Sequence, residues 1–251
     1  MKLLSVQEVS VSFGGLKAVQ GVSLELEEGT LGALIGPNGA GKTTFFSIIS
    51  GFVKPDSGRV ELAGKDITTL SPYARANEGL TRTFQIVQPF AAQTVGENVA
   101  VGAHLHCASR KEALAKAREV TAQVGLLGIF DQKAGELTVA GRKRLELARA
   151  LATRPKLLLL DEVLAGLNPQ EIQEMLPVIQ GICDSGVSIL MIEHVMQAVM
   201  SLAQYVWVLS QGQLISQGLP QKVTQDPLVI EAYLGQGTAQ KIKRLAQGET
   251  S

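Results

Sequence analysis

The sequence predicts an α/β fold built on a buried sheet. Three short apolar runs show no alternation of polar residues, which is typical of strands covered on both faces: LGALI at 31–35, KLLLLDE at 156–162 and GVSILMIEH at 186–194. Segments in which apolar residues recur at helical spacing separate these runs. Strands that alternate with helices in this way indicate an α/β sheet.

Length and composition indicate a folded chain rather than a disordered one. The chain has 251 residues, of which 45% are hydrophobic and 18% are charged, so one large domain or two small ones are expected. The charged share lies below the usual value of about 25% for soluble chains. A somewhat apolar surface is therefore expected, as in a subunit of a complex.

Charge, cysteine content and the longest apolar runs limit the function classes. The 23 Lys and Arg residues balance the 23 Asp and Glu residues, so the basic excess of a nucleic-acid-binding protein is absent. Cys107 and Cys183 form no CxxC pattern, which favours a reducing compartment. No apolar run approaches the about 20 residues that span a bilayer. We expect no nucleic-acid partner and no membrane crossing by this chain alone.

The N-terminal part is predicted to place strands around a glycine-rich loop. Apolar and polar residues alternate over 3–13 and 21–30, as in strands with one exposed face. The buried strand at 31–35 leads into GPNGAGKTTFFSIISG, a glycine loop followed by a helix that ends at Gly51. A turn and a further strand are predicted at 55–67.

Helical signals dominate the middle of the chain. Residues 71–153 are mostly helical in pattern, with apolar residues at helical spacing over 111–127 and 142–154. We therefore expect a helical insert at 84–155, between the glycine loop and the second buried strand. The C-terminal part is predicted to contain a helix at 170–184, the strand at 186–194, a hairpin over 205–218 that turns at Gln211-Gly212, and a polar tail at 236–251.

The strongest chemical signal is the glycine loop, in which residues 36–43 read G-P-N-G-A-G-K-T and fit G-x-x-x-x-G-K-[ST]. The glycines allow successive N–H groups to face one anion, and the following helix directs its positive end at the same place. Lys42 is expected to reach the β- and γ-phosphates of a nucleotide, and the Thr43 hydroxyl to bind Mg²⁺. The strand before the loop and the helix after it favour a P-loop over a helix-capping turn.

Acidic residues and a histidine follow the other two buried strands. Asp161 and Glu162 end one strand, at the sheet edge where open α/β folds bind ligands. We expect Asp161 to hold Mg²⁺, directly or through water, and Glu162 to polarise an attacking water. His194 ends the third strand and is expected near the γ-phosphate, although a lone histidine is more often structural.

These pieces, in this order and spacing, resemble the ATPase subunits of ABC transporters from about Leu3 to Gly235. The resemblance implies a single ABC ATPase domain over 1–235. Its parts would be a P-loop NTPase sheet core at about 1–83 and 156–235 with an N-terminal antiparallel β subdomain, and an inserted helical subdomain at about 84–155.

The resemblance also implies roles for individual residues, with ATP as ligand and Mg²⁺ as cofactor. Glu162 and His194 would be catalytic. The ATP-binding residues would be Phe13, which stacks on adenine, and Gly36, Pro37, Asn38, Gly39, Ala40, Gly41, Lys42, Thr43 and Thr44. The Mg²⁺ site would comprise Thr43, Gln85 and Asp161. The signature, which contacts ATP bound to a partner subunit, would be Leu137, Thr138, Val139, Ala140 and Gly141. The D-loop would be Ala165, Gly166, Leu167 and Asn168.

A narrower resemblance links the chain to the ATPases of branched-chain amino acid uptake systems. It rests on SFGGLKAV (12–19), RTFQ (82–85), AGLNP (165–169) and VIEAYLG (229–235). The implied function is ATP hydrolysis that energises import of branched-chain or neutral amino acids. The implied partners are a second ABC ATPase subunit, two transmembrane permease subunits and a periplasmic or extracellular substrate-binding protein. The implied location is peripheral, on the cytoplasmic face of the cell (inner) membrane.

The signature departs from the family pattern. The family reads LSGGQ where residues 137–141 read L-T-V-A-G. Thr138 keeps a hydroxyl, but Ala140 adds a Cβ where close backbone approach is needed. Because each signature serves the partner's ATP, we expect a heterodimer with unequal sites, the stronger one built on this chain's P-loop.

Other interpretations stay open on the sequence alone. The same ATPase could drive export of a lipid or lipopolysaccharide, act in solution on DNA or the ribosome, or regulate without hydrolysis. The long insertion or second ATPase unit of the DNA and ribosome class is absent from the sequence, whereas the altered signature keeps the regulatory alternative open. The basic run 142–144 is expected to be a solvated helix face, and His104, His106 and Cys107 are expected to be solvent-facing residues rather than a metal site.

Overall fold

The computed structural model describes residues 1–84 and 88–235. Over these ranges the strands are β1 (Lys2–Phe13), β2 (Leu16–Glu27), β3 (Leu31–Ile35), β4 (Ser57–Leu62), β5 (Lys65–Asp66), β6 (Leu80–Arg82), β7 (Leu157–Asp161), β8 (Ser188–Ile192), β9 (Tyr205–Ser210) and β10 (Gln213–Gly218). The helices are α1 (Lys42–Ser50), α2 (Pro72–Asn77), α3 (Val95–Ala103), α4 (Arg110–Gln123), α5 (Val139–Leu151), α6 (Pro169–Asp184), α7 (Met196–Leu202), α8 (Pro220–Val223) and α9 (Pro227–Leu234).

An antiparallel sheet forms the N-terminal part, with strand order β2-β1-β4-β5. β1 and β2 are joined by Gly14 and Gly15, which have φ angles of +51° and +89°. Two residues with positive φ are what a tight hairpin turn requires, so Phe13 pairs directly with Leu16. The alternating patterns at the N-terminus thus form the antiparallel β subdomain that the family resemblance implies.

The second sheet is parallel except at one edge, with order β10-β9-β3-β8-β7-β6, in which β10 pairs antiparallel to β9. Every residue of β3, β7 and β8 is buried, which confirms the three strands predicted from apolar runs. Successive residues point to opposite faces, so Leu158 and Leu160 join one apolar core while Leu157 and Leu159 join the other. Both faces are therefore covered, as continuous apolar strands require.

Two apolar cores lie on the two faces of the parallel sheet. One core lies between the antiparallel sheet, α1 and one face of the parallel sheet, and contains Phe45, Phe46 and Trp207. The other lies between the opposite face and the helices that follow, among them α3, α5 and α6. No helix over residues 1–84 and 88–235 is long and apolar enough to cross a membrane.

Some elements differ from the sequence prediction. β6 lies in a stretch that was expected to be mostly helical, and its three residues become a strand because Leu80, Thr81 and Arg82 pair with β7. Within the segment 104–107, Cys107 is buried and not solvent-facing as expected, whereas His104 and His106 are exposed, as expected. The His106 Nε2 atom lies 2.9 Å from the carbonyl oxygen of Thr153. Among the described residues, no group of three or more His, Cys, Asp or Glu side chains forms a metal site.

Arg75 fixes the C-terminus of the helix that follows the glycine loop. It is 1% exposed. Its guanidinium donates to the carbonyl oxygens of Ile48 at 2.6 Å, Ile49 at 2.5 Å and Thr68 at 2.8 Å. Burial lowers the pKa of Arg75 to about 10, so the group stays charged at neutral pH. The last carbonyls of α1, which the helix itself leaves unpaired, are thereby satisfied.

We predict that Arg75→Met lowers the free energy of unfolding by about 2–4 kcal/mol, because it removes the buried guanidinium that donates to the carbonyl oxygens of Ile48, Ile49 and Thr68. Urea unfolding followed by circular dichroism measures the change. Arg59→Met is the matched control, since the side chain of Arg59 is 51% exposed and its removal is expected to cost less than about 1 kcal/mol. Equal midpoints for Arg75→Met and the parent protein would contradict the capping role.

Candidate functional site

The glycine loop connects the end of β3 at Ile35 to the start of α1 at Lys42. Two of its glycines are required by the local geometry. Gly36 has a φ angle of +151°, and a Cβ added to it would lie 2.0 Å from the carbonyl oxygen of Leu209. Gly41 has a φ angle of +100°, and a Cβ added to it would lie 2.4 Å from the carbonyl oxygen of Ala18. The loop therefore packs its backbone against two neighbouring segments, and the N-terminus of α1 opens onto its concave side.

Lys42 is held over the loop. Its Nζ donates to the carbonyl oxygens of Gly36 at 2.7 Å and Pro37 at 3.0 Å, and the residue is 6% exposed. Burial lowers the pKa of Lys42, while the nearby carboxylates of Glu162 and Asp161 oppose that shift. The ammonium is therefore poorly hydrated and close to the loop, so an anionic oxygen bound there would be a stronger partner than the two carbonyls.

A cleft of about 1270 Å³ runs along the loop. Phe13, at the end of β1 and 50% exposed, lies on its wall, as do Glu162 and His194. The structure therefore brings together residues that are up to 181 positions apart, between Phe13 and His194. The wall also includes Asn38, Gly39, Ala40, Gly41, Lys42, Thr43 and Thr44 from the loop and the start of α1.

Glu162 and His194 are in direct contact. The His194 Nε2 atom lies 2.8 Å from Oε1 of Glu162. Glu162 has φ +51°, a left-handed conformation that is strained for a residue with a Cβ. Its N–H donates to the carbonyl oxygen of Ile192 at 3.0 Å and its own carbonyl oxygen accepts from Lys143 Nζ at 3.3 Å. The neighbouring strand and α5 thus hold the strained backbone that directs this carboxylate into the cleft.

Asp161 forms a buried ion pair on the other side of the loop. Its Oδ2 lies 2.6 Å from Nη2 of Arg82, and the two side chains are 4% and 7% exposed. Arg82 also donates to the hydroxyls of Ser47 at 3.0 Å and Ser50 at 3.3 Å, which lie on α1. The buried Asp161 carboxylate thereby has a cationic partner.

Asp161 and Thr43 line a second cleft of about 660 Å³. Thr43 also lines the first cleft, so the two clefts meet at its hydroxyl-bearing side chain. A hydroxyl and a carboxylate are hard oxygen donors of the kind that Mg²⁺ prefers, and a Mg²⁺ site commonly uses only one or two carboxylates together with phosphate oxygens and waters. The donor set therefore fits this ion.

The remaining sequence-predicted residues lie elsewhere. Of the described residues that line the first cleft, none belongs to 137–141 or 165–168. Thr138 instead caps α5, where its hydroxyl accepts the N–H of Gly141 at 3.1 Å. Residues 165–168 lie in the loop between β7 and α6, and Asn168 caps α6. Gln85 lies outside the described residues.

Three residues near the site were not assigned by the sequence analysis. Arg82 was part of the RTFQ segment, but nothing in the pattern pairs it with Asp161. Lys143 was expected on a solvated helix face; it is 6% exposed because α5 packs that face against the loop after β7. Glu193 is 2% exposed, and burial raises its pKa to about 7. An acid directly after an apolar strand was the only signal available for Glu193.

Comparisons with known proteins identify the family of this chain. Residues 19–165 match the family described as ABC transporter, and residues 213–239 match the one described as branched-chain amino acid ATP-binding cassette transporter. The chain is 38% identical to the high-affinity branched-chain amino acid transport ATP-binding protein BraF of Pseudomonas aeruginosa over 93% of this chain and 98% of BraF. The corresponding values for LivG of Escherichia coli K12 are also 38%, 93% and 98%.

The fold comparison leads to the same family. A crystal structure described as the ADP conformation of MJ1267, an ATP-binding cassette of an ABC transporter, superposes with a TM-score of 0.86 at 33% sequence identity. The match covers 94% of this chain and 100% of that one. The chain therefore belongs to the ABC transporter family of ATPases, within the group of branched-chain amino acid transport ATP-binding proteins.

Proposed function

We propose that this chain binds and hydrolyses ATP to drive amino acid import, with branched-chain or other neutral amino acids as cargo. One observation supports the hydrolytic role above the others. The Glu162–His194 contact of 2.8 Å lies in the same cleft as the loop that ends in Lys42. A carboxylate fixed beside a phosphate-binding loop is what activation of a water for attack on the γ-phosphate requires.

ATP binding uses the glycine loop and Phe13, which line the same cleft. The triphosphate accepts hydrogen bonds from the backbone N–H groups of 38–44 at the positive end of α1. Lys42 exchanges the carbonyl oxygens of Gly36 and Pro37 for phosphate oxygens, a change from neutral to charged acceptors. Phe13 provides an exposed ring on which the adenine stacks.

Hydrolysis then depends on the pair of side chains at the strand ends. Glu162 accepts a hydrogen bond from the attacking water and orients it in line with the bond to be broken. His194 holds the Glu162 carboxylate, and because it lines the same cleft we propose that it donates to the γ-phosphate. Lys42 stabilises the charge on the phosphoryl group as it is transferred.

Thr43, Asp161 and Gln85 are the proposed residues for Mg²⁺. The ion, when bound, supplies positive charge to the β- and γ-phosphate oxygens. In the present structure Arg82 supplies the positive charge next to Asp161 at 2.6 Å. The Arg82 guanidinium therefore compensates the buried Asp161 carboxylate.

The proposed assembly follows the names of the relatives and the family resemblance. BraF and LivG are described as branched-chain amino acid transport ATP-binding proteins, so amino acids of that class are the proposed cargo. We propose that the chain works with a second ATPase subunit, two transmembrane permease subunits and a periplasmic or extracellular substrate-binding protein. Its proposed position is peripheral, on the cytoplasmic face of the inner membrane.

The signature at 137–141 and the D-loop at 165–168 are proposed to face the second ATPase subunit. This would explain why these segments lie outside the cleft that holds Lys42 and Glu162. Because Ala140 carries a Cβ at the proposed approach of the partner's ATP, the two sites of a heterodimer would be unequal. The same residue supports the second candidate function, a nucleotide-dependent regulatory subunit with weak hydrolysis. The relatives give no support to the export alternative.

Lys42→Ala is predicted to lower ATP affinity about 10- to 100-fold, because it removes a charge-assisted hydrogen bond worth about 1.5–3 kcal/mol. Thermal unfolding with and without Mg²⁺-ATP measures this without relying on activity. ATP at 100 times the parent Kd should stabilise the parent by about 2.7 kcal/mol and the variant by much less. Lys54→Ala, on the exposed segment after α1, is the control and should behave as the parent. Equal stabilisation of Lys42→Ala and the parent would refute the phosphate role.

Glu162→Gln is predicted to bind ATP with the parent affinity and to turn it over about 100-fold or more slowly, because the amide is a poor base. Phosphate release at saturating ATP gives the turnover, and a fluorescent nucleotide gives the affinity. Glu28→Gln, on an exposed turn, is the charge-matched control. Hydrolysis by Glu162→Gln at the parent rate would rule out Glu162 as the base. If the parent protein itself also hydrolyses ATP slowly, that result would favour the regulatory candidate.

The unequal-site proposal predicts different losses from two matched changes in the assembled complex. Glu162→Gln in this chain should abolish most ATP hydrolysis, whereas the corresponding glutamate-to-glutamine change in the partner should abolish little. Ala140→Gly should raise the remaining hydrolysis, because it removes the Cβ from the partner's site. Equal losses from the two glutamate changes, or no response to Ala140→Gly, would argue against unequal sites.

A further inference from the structure

Glu193 is a buried acid that the proposed mechanism does not use. It stands between Ile192, the last residue of β8, and His194, and it is 2% exposed. Its Oε1 accepts the N–H of Leu164 at 3.0 Å. One side chain thus joins the end of β8 to the loop that follows β7.

The position is unfavourable for a carboxylate unless it makes contacts. All five residues of β8 before it are buried, and burial is the largest cause that raises the pKa of Glu193, to about 7. The neighbouring carboxylate of Glu162 raises this pKa as well, while the backbone N–H groups of Leu164 and His194 and the charge of Lys143 oppose the shift. A buried acid is tolerated when hydrogen bonds compensate it, and here the N–H of Leu164 in the loop after β7 is a compensating donor.

Both segments hold a residue of the hydrolytic pair. Leu164 lies two residues after Glu162, whose backbone at φ +51° is strained. On the other side of that strained residue, the Glu162 N–H donates to the carbonyl oxygen of Ile192 at 3.0 Å. The bond from Leu164 to Glu193 closes the loop back onto the end of β8, next to His194. Loss of this bond would free the loop to relax toward an unstrained conformation.

We propose that Glu193 is a positioning residue for ATP hydrolysis: by accepting the N–H of Leu164, it holds the Glu162 loop against the strand end that presents His194. The inference rests on the proposed function of Glu162 and His194. Glu193 itself acts only through the backbone. Its side-chain oxygen at the position of Oε1 is therefore the feature that matters, rather than its charge.

The test uses the full chain and three substitutions at Glu193, which separate the effect of side-chain length from the effect of charge. Glu193→Gln keeps an oxygen acceptor at the same reach and removes the charge. Glu193→Asp keeps the charge and shortens the reach by one methylene. Glu193→Met keeps the approximate volume and removes both acceptors. Ser188→Ala is the matched control, because Ser188 lies at the opposite end of β8 and its Oγ accepts a backbone N–H, that of Gly29, at 2.8 Å.

We expect Glu193→Met and Glu193→Asp to lower kcat for ATP hydrolysis by about tenfold or more, the cost of one lost hydrogen bond in the transition state. The KM for ATP and the Kd of a fluorescent ATP analogue should stay within about twofold of the parent, since the phosphate loop is untouched. Glu193→Gln should keep kcat within about threefold of the parent value. Ser188→Ala should leave kcat, KM and Kd at the parent values. A general loss of packing would instead change these constants in all the variants.

Parent-like kcat in a folded Glu193→Met, or a loss in Glu193→Gln as large as that in Glu193→Asp, would overturn the proposal. If Glu193→Met does not fold, the Gln and Asp variants decide the question by themselves. Glu162→Gln is measured in parallel. If it abolishes hydrolysis while the Glu193 variants resemble the parent, only this inference fails; if it hydrolyses at the parent rate, the proposed role of Glu162 fails and the inference fails with it.

Discussion

The parallel register of β3, β8 and β7 is the constraint on which the site depends. Ile192 at the end of β8 pairs with Leu34 on one side and with Asp161 on the other. The three strands therefore end at the same level, and the segments that follow them emerge side by side. A shift of two residues in any one strand would move its loop by about 6.6 Å, which exceeds the reach of a hydrogen bond. Burial of every residue in these strands makes such a shift costly.

Three buried charges near the loop have partners of different kinds. Lys42 binds carbonyl oxygens, Asp161 binds Arg82, and Glu193 accepts the N–H of Leu164. The partners differ in strength: carbonyl oxygens are neutral, whereas the Asp161–Arg82 pair is ionic and buried. Lys42 is therefore the group most easily transferred to an incoming phosphate. These contacts hold the three side chains in place, which limits the binding free energy that is needed to order them.

Helix α5 connects two regions that sequence motifs describe separately. The altered signature ends in its first turn, with Thr138 as the N-cap, and further along the helix Lys143 donates to the carbonyl oxygen of Glu162 at 3.3 Å. A displacement of this helix would move or break the bond to the backbone of Glu162, whose conformation is already strained. If the signature binds the partner's nucleotide as proposed, this bond gives a physical route between the two sites. Burial of Lys143 also explains why a basic run that looked solvated is partly enclosed.

The sequence by itself determined the three buried strands, the glycine loop with its helix, and the family, because these features are encoded by local apolar runs and by short motifs. It also predicted that Glu162 and His194 lie at one sheet edge, since strand ends in a parallel sheet meet there. Tertiary structure alone decided the pairing of Asp161 with Arg82, 79 residues away in sequence, and the strand β6, which exists only through its pairing with β7. The roles of Lys143 and Glu193 follow from packing of distant segments, because a charged residue is buried or exposed according to what covers it and not according to its neighbours in the chain.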